Sequence, residues 1–184
     1  MKWYKPIPCD KTVKNPLVCD YDNLEEYGFT EWDFLKGNRI ANWVNGVVFK
    51  AIKAKNDGAP DDALQNSSML PIYSKRLIEE LNKLAISGIQ LLPVDVVRPD
   101  CGMLEGFAIA NFTSFIAALN YEKSEYTRFS NDFPNPSVRG EIAGITKYVL
   151  NSDKLVGLDI FRLKDYKRRQ TGFATLRRCA PTTL

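Results

Sequence analysis

The sequence contains no histidine among its 184 residues. This absence excludes Ser-His-Asp and Cys-His catalysis, H-E-x-x-H zinc sites and most other metal sites that depend on imidazole. Chemistry based on carboxylate, lysine, tyrosine or arginine side chains remains open. The commonest hydrolase and metalloenzyme classes are therefore not expected.

Long apolar runs and signal-like segments are also missing. No stretch approaches the roughly 20 apolar residues that span a bilayer, and the N-terminal MKWYKPIPCDK has charge and proline where a secretory signal needs an apolar segment. We therefore expect a cytoplasmic protein without a membrane partner. The cysteines are widely and irregularly spaced, which predicts free thiols rather than a zinc or disulfide framework; they are Cys9, Cys19, Cys101 and Cys179.

The composition, with 45% hydrophobic and 26% charged residues, predicts one globular domain over residues 1–184. The net charge of +3 is unevenly distributed, because the segment 164–184 has six basic residues and one acidic residue. That C-terminal tail carries +5, so the remaining residues carry +3 − 5 = −2. Nucleic-acid binding by the whole protein is therefore not expected, and the tail is interpreted as a solvated or frayed terminus.

The clearest local pattern is a strand–helix–strand unit at residues 69–97. Ser74 is predicted to be the N-cap of the helix. Apolar residues then recur at helical spacing, at Leu77, Ile78, Leu81, Leu84 and Ala85. Gly88 is predicted to end the helix, and Pro93 to interrupt the second strand at an edge or a bend.

Further elements are predicted on both sides of this unit. A helical turn is expected after Thr30, ending at Gly37, and strands are expected at 45–53, 104–112, 141–150 and 155–163. Residues 56–63 are predicted to form a loop. Because helices and strands do not alternate regularly, the pattern favours an α+β domain with a largely antiparallel sheet and a helix at about 75–86 packed on it.

Candidate catalytic groups are few, and each has a structural explanation. Ser74 lies at a strand-to-helix turn, but no G-x-S-x-G motif surrounds it, and an N-cap role accounts for it. Asp61-Asp62 and Glu79-Glu80 are interpreted as surface charge rather than as acid–base pairs. Glycine-rich phosphate loops are absent. The sequence therefore predicts no catalytic, cofactor-binding or metal-binding residues.

Several short motifs occur in a recognisable order. They are P-I-Y-S (Pro71 to Ser74) followed by Leu81, S-G-I-Q-L-L-P-V (Ser87 to Val94), A-A-L-N-Y-E-K-S (Ala117 to Ser124) and D-I-F-R-L (Asp159 to Leu163). Over about residues 40–165 the chain resembles immunity family eleven of bacterial polymorphic toxin systems, with immunity family forty-three second. It departs from the pattern at Asn120, where an acidic residue is expected, and after residue 169, where a further strand and helix are expected.

The resemblance implies a small α+β protein that is encoded beside a toxin, which it binds and neutralises by stoichiometric occlusion. It implies structural roles for the motif residues Pro71, Ser74, Leu81, Gly88, Pro93, Asp159, Phe161 and Arg162. Arg162 is expected to be buried and to pair with an acid elsewhere in the chain, with direct toxin contact as the alternative. The alternative functions are an enzyme that reverses a toxin-installed modification and a nucleic-acid binder acting through the tail. Neither the toxin-contacting residues nor the oligomeric state follow from the motifs.

Overall fold

The computed structural model describes residues 3–4, 17–52, 62–98, 102–164 and 175–177. The α-helices are α1 (Glu31–Leu35) and α2 (Lys75–Lys83). The strands are β1 (Trp3–Tyr4), β2 (Val18–Asp22), β3 (Val48–Ala51), β4 (Ala63–Asn66), β5 (Ile72–Tyr73), β6 (Ile89–Arg98), β7 (Gly102–Phe112), β8 (Phe115–Ile116), β9 (Glu125–Arg128), β10 (Ile142–Lys147), β11 (Ile160–Leu163) and β12 (Thr175–Arg177). Short 3₁₀ turns occupy Leu24–Tyr27, Pro136–Val138 and Ser152–Leu155.

Six strands close into a barrel in the order β2-β3-β6-β7-β5-β4. Pairing is antiparallel between β2 and β3, β6 and β7, β7 and β5, and β5 and β4, but parallel between β3 and β6 and between β4 and β2. The expected combination of many strands with few helices is present. However, the sheet is a closed mixed barrel rather than a largely antiparallel sheet, because long connections bring distant strands together in parallel.

The barrel interior is filled by side chains that alternate along the strands. In β6, Leu92, Val94 and Val96 point inward and are at most 5% exposed. They pack with residues from the neighbouring strands, including Val47, Phe49, Ile72, Phe107 and Ile109. Full burial of one such side chain contributes about 1.5–3 kcal/mol. Cys19 lies in the same interior as a free thiol, as predicted, and burial raises its pKa to about 11; the other cysteines lie outside the described residues.

The unit at residues 69–97 forms β5, α2 and β6, with β7 lying between the two strands. The N-cap prediction is confirmed, since Ser74 Oγ accepts a hydrogen bond from the Leu77 N–H at 3.3 Å. The helix ends at Lys83, earlier than predicted. Ala85 already has a positive φ of 49°, so the backbone leaves the helical conformation before it reaches Gly88.

Strand β6 runs through Pro93 without a break, so the predicted interruption is wrong, whereas the predicted edge position is confirmed on the side away from β7. Pro93 is opposite Ala108 of β7, whereas β3 pairs with β6 only from Asp95 onward. The missing N–H of Pro93 therefore removes no hydrogen bond to β3. A register shift between Val94 and Val96 produces the irregularity that a proline was expected to bring.

A second, smaller sheet has the order β1-β12-β11-β8. Ala118, Leu155, Phe161 and Leu163 form its core. The strand predicted at 155–163 begins only at Ile160, because Ser152–Leu155 forms a 3₁₀ turn. Within the C-terminal tail, Thr175–Arg177 forms β12 and pairs with β1 and β11, so a frayed terminus is the wrong prediction for these residues.

Candidate functional site

Ser74 belongs to a polar cluster at the start of α2. Its hydroxyl donates to Asp62 Oδ1 at 2.6 Å, and its N–H donates to the Asp62 carbonyl at 2.9 Å. The same carboxylate forms an ion pair with Arg76. Asp62 thus fixes the segment before β4 against the first turn of α2, while Asp61 lies outside the described residues. The cluster accounts for Ser74 without a nucleophilic role.

The other motif residues around α2 make close backbone or apolar contacts. The Pro71 carbonyl accepts a hydrogen bond from the Ala110 N–H at 2.8 Å, and Leu81 is buried. Gly88 has φ +84°, and a Cβ there would lie 2.3 Å from Ser114 Oγ. Only glycine fits this approach without displacement.

Arg162 and Phe161 lie side by side on β11 and face different surroundings. Phe161 is fully buried, whereas the Arg162 guanidinium lies 4.7 Å from the centre of the Phe115 ring and donates to the Phe34 carbonyl at 3.4 Å. Burial lowers the pKa of Arg162, although a guanidinium stays charged at neutral pH. Among the described residues, no carboxylate pairs with Arg162, and this includes the half-buried Asp159. The acid partner predicted for Arg162 is therefore not found in the described part of the chain.

Strands β9 and β10 form a hairpin, which we call the arm (residues 121–148). Its strands pair with each other and with no other described strand. The strand predicted at 141–150 is confirmed by β10 (Ile142–Lys147). The connecting loop packs on itself: the Phe129 and Phe133 rings are 4.6 Å apart, and Arg139 Nε donates to the Phe133 carbonyl at 2.8 Å.

The base of the arm is held by two polar residues of the A-A-L-N-Y-E-K-S motif. Ser124 is buried; its hydroxyl donates to the Val149 carbonyl at 3.1 Å and accepts from the Val149 N–H at 3.0 Å. Asn120 Nδ2 donates to Asn151 Oδ1 at 3.0 Å. A carboxylate at residue 120 could not make this last bond, because an ionised acid has no donor. Asn120 is therefore well suited to this base despite its departure from the family pattern.

Two tyrosines and one arginine form a compact cluster on the arm, which we call the tyrosine–arginine cluster. The Tyr121 and Tyr126 rings meet edge to face at 5.6 Å between centres. The Arg128 guanidinium lies 5.1 Å from the Tyr126 ring centre and 5.7 Å from that of Tyr121. Tyr121 remains 43% exposed. Tyrosine and arginine dominate protein–protein hot spots, and stacking orders these side chains before a partner arrives.

The charge of the arm is balanced. Residues 121–148 contain four basic and four acidic side chains, and Lys147 pairs with Glu125 at 3.2 Å. A nucleic-acid surface would carry a clear positive excess. The arm is therefore better suited to a protein partner.

A groove of about 590 Å³ lies between α2 and the outer surface of β6 and β7. It is lined by the apolar residues Ile78, Leu91, Pro93, Phe107 and Ala108 and by the charged residues Lys75, Glu79 and Glu105. The described part of the chain contains no group of three or more histidine, cysteine, aspartate or glutamate side chains that could hold a metal ion. Neither described helix is long and apolar enough to span a membrane.

The barrel, the small sheet and the arm define a strand-rich domain that presents ordered aromatic side chains to solvent. The family model of the Imm11 immunity proteins matches residues 6–170. The chain therefore belongs to the Imm11 immunity protein family, which confirms the resemblance inferred from its motifs. A comparison with curated proteins found no match.

The sequence pattern does not predict the tyrosine–arginine cluster, because residues 120–137 are mostly polar and lie between the strands predicted at 104–112 and 141–150. A usable signal was present in that segment. Tyr126 and Arg128 are two residues apart, which places both on one side of a strand. Tyr121, in contrast, reaches the cluster through the turn before β9, and no strand periodicity predicts that contact.

Proposed function

We propose that this protein neutralises a cognate toxin in the cytoplasm by binding it stoichiometrically, as a single domain without enzymatic activity. Family membership supports the general function. The observation that carries the site is the tyrosine–arginine cluster, which is ordered and exposed on an arm that pairs with no other described strand.

Occlusion follows from the way the arm is built. Asn120 and Ser124 fix its base to the segment 149–151, so the hairpin is held at a defined position. The cluster then provides aromatic area that is already stacked, which reduces the entropy lost on binding. In this proposal the arm covers the active site of the toxin or the surface that takes its substrate, and the surrounding polar residues form the rim.

The motif residues are proposed to support this surface rather than to contact the toxin. Ser74 fixes the start of α2, Gly88 permits the close approach of the chain to Ser114, and Phe161 fills the core of the small sheet. Arg162 joins β11 to α1 through the Phe34 carbonyl. Substitutions at these positions should lower stability and toxin protection together.

The test uses the toxin encoded beside this gene. An equimolar complex and rescue of cells expressing the toxin are expected for the unaltered protein. Tyr126→Ala and Arg128→Ala should each weaken binding by about 2 kcal/mol, roughly 30-fold, because hot-spot truncations have this cost. Lys83→Ala is the matched control, since Lys83 is an exposed cation on α2, outside the arm. Failure of the unaltered protein to bind and protect would refute the proposal.

The groove beside α2 is the feature that favours an enzyme instead. Its two carboxylates, Glu79 and Glu105, are the acidic groups such an enzyme could use. A double variant, Glu79→Gln with Glu105→Gln, distinguishes the hypotheses. Full protection by this variant supports occlusion, whereas lost protection with unchanged toxin binding would favour enzymatic reversal.

A further inference from the structure

Strand β9 has β10 on one side, and its other edge pairs with no described strand. The residues of β9, Glu125–Arg128, follow one another without a bulge, because both register shifts of this hairpin occur in β10. The strand also contains no proline. Bulges and prolines are two of the usual devices that prevent another chain from pairing with an edge strand. The outer edge of β9 has neither.

The main-chain groups of β9 face β10 and the outer edge in turn, as in any antiparallel strand. The Phe129 N–H donates to the Glu141 carbonyl at 3.0 Å, so residue 129 faces β10. Thr127, two residues earlier, faces the same way. The N–H and C=O groups of Tyr126 and Arg128 therefore point away from β10, and no other described residue forms a hydrogen bond with them.

The other free edges of the described strands are short, irregular or covered. Strands β1 and β8, at the two ends of the small sheet, are two residues long, and β10 has the bulges. Before Asp95, β6 has a strand on one side only, and there Trp43 Nε1 donates to the Pro93 carbonyl at 2.9 Å. Within the described part of the chain, the outer edge of β9 is thus the most accessible to a further strand.

The open edge belongs to the same two residues as the tyrosine–arginine cluster. The side chains of Tyr126 and Arg128 stack with Tyr121, while their main-chain groups point along the edge. At either end of the edge the chain is engaged in local turns, through the Ser124 N–H and the Ser130 carbonyl. A strand added here is therefore short, and it lies directly beside the cluster.

We propose that an extended segment of the cognate toxin pairs with the outer edge of β9 as an added strand. This inference rests on the proposed function and specifies how the arm recognises its partner. An extended main chain has donors and acceptors at the spacing of the Tyr126 and Arg128 groups, whatever its side chains are. The main-chain bonds then contribute affinity, and the adjoining cluster selects the side chains of the segment.

A second copy of this protein fits the same edge less well. Two β9 strands that pair through both outward residues place Tyr126 of each copy opposite Arg128 of the other. The two Arg128 side chains are then diagonal neighbours on one face, about 7–8 Å apart. Like charges at this distance repel each other, because it lies within the Debye length at physiological salt. A toxin segment does not bring this repulsion by necessity.

Amide hydrogen exchange of the whole chain, followed residue by residue by NMR, tests the inference. In the free protein, the amides of Tyr126 and Arg128 should exchange much faster than those of Thr127 and Phe129, which face β10. An equimolar amount of the toxin encoded by the neighbouring gene should slow exchange at Tyr126 and Arg128 by at least about ten-fold, because both amides gain an acceptor.

Two variants of residue 126 provide a matched comparison. Tyr126→Ala and Tyr126→Pro both remove the ring, but only the proline also removes the outward N–H. Tyr126→Pro should therefore bind the toxin at least about ten-fold more weakly than Tyr126→Ala. Exchange protection at Thr127 and Phe129 shows whether the arm is intact in each variant. Equal affinities with an intact arm overturn the inference, and if proline disrupts the arm, the exchange of the unaltered protein decides.

The outcomes separate this inference from the proposed function. If the unaltered protein does not bind the toxin, the proposed function fails and the inference fails with it. If it binds but exchange at Tyr126 and Arg128 is unchanged, only the inference is overturned. Protection of these two amides that increases with protein concentration in the absence of toxin would identify a second copy as the occupant and overturn the inference.

Discussion

The Cα of Gly37 lies against the ring of Phe115, so that a Cβ on residue 37 would be 2.1 Å from a ring carbon. This contact joins the end of α1 to strand β8 of the small sheet. The guanidinium of Arg162 lies 4.7 Å from the centre of the same ring. Phe115 is therefore shared between the segment after α1 and strand β11.

Gly37→Ala should destabilise the protein by about 2–4 kcal/mol, because steric overlap adds to the cost of a left-handed backbone. Gly28→Ala is the matched control: Gly28 has a similar φ of +76° but no atom within 4 Å of its Cβ position. The control should lose only about 1–2 kcal/mol. Urea unfolding measures both, and equal losses for the two variants would contradict the proposed contact.

Arg162→Ala should lower the free energy of unfolding by about 2–3 kcal/mol, because it removes the stack on Phe115 and leaves the Phe34 carbonyl without its donor. Arg162→Lys should recover only part of this loss, since an ammonium cannot stack as a planar group. Thermal unfolding in parallel with toxin binding is the measurement. Reduced toxin binding without any loss of stability would instead assign Arg162 to the toxin interface.

Local features of the fold were predictable wherever neighbouring residues determine them. Ser74 follows an extended segment and precedes an apolar stripe, so its N-cap role required no knowledge of distant contacts. Thr30 begins α1 for the same kind of reason, and its N–H donates to the Asp33 carboxylate at 2.9 Å. A strand is also predicted at 104–112, and β7 begins only slightly earlier, at Gly102.

Long-range pairing was not predictable in the same way. The parallel pairing of Val48 with Asp95 joins residues that are more than 40 positions apart, and no local periodicity of the sequence predicts it. Strand β4 follows directly after a segment rich in turn residues, so the local pattern does not predict a strand there. Partners of Arg162 lie on α1 and β8, far away in the chain, so the choice between an acid and an aromatic ring could not be made from the D-I-F-R-L motif.

Asn111→Asp should be strongly destabilising at neutral pH, by about 3–5 kcal/mol, because it places an unpaired charge in the interior. Asn111 is 1% exposed, and its Nδ2 donates to the Asn38 carbonyl at 2.9 Å and to Gln90 Oε1 at 3.1 Å. Burial would raise the pKa of the introduced carboxyl in the folded state, so its penalty should shrink as the pH falls and the carboxyl becomes neutral. Denaturant unfolding at several pH values measures this trend, and a penalty that does not depend on pH would contradict it.

Asp33 should make the stability of the protein sensitive to acid. The Thr30 N–H, together with Lys36 and the Thr30 hydroxyl, lowers the pKa of this carboxyl below its ordinary value of 3.8. A depressed folded-state pKa means that the stabilisation is fully present above pH 3.8 and is lost as the pH falls through the lower folded value. Asp33→Asn should therefore cost about 1 kcal/mol at pH 7, the usual value of a capping interaction, and much less near pH 2. Unfolding curves for both proteins across this range provide the comparison, and a difference that stays constant from neutral to acid pH would show that the charge of Asp33 makes no contribution.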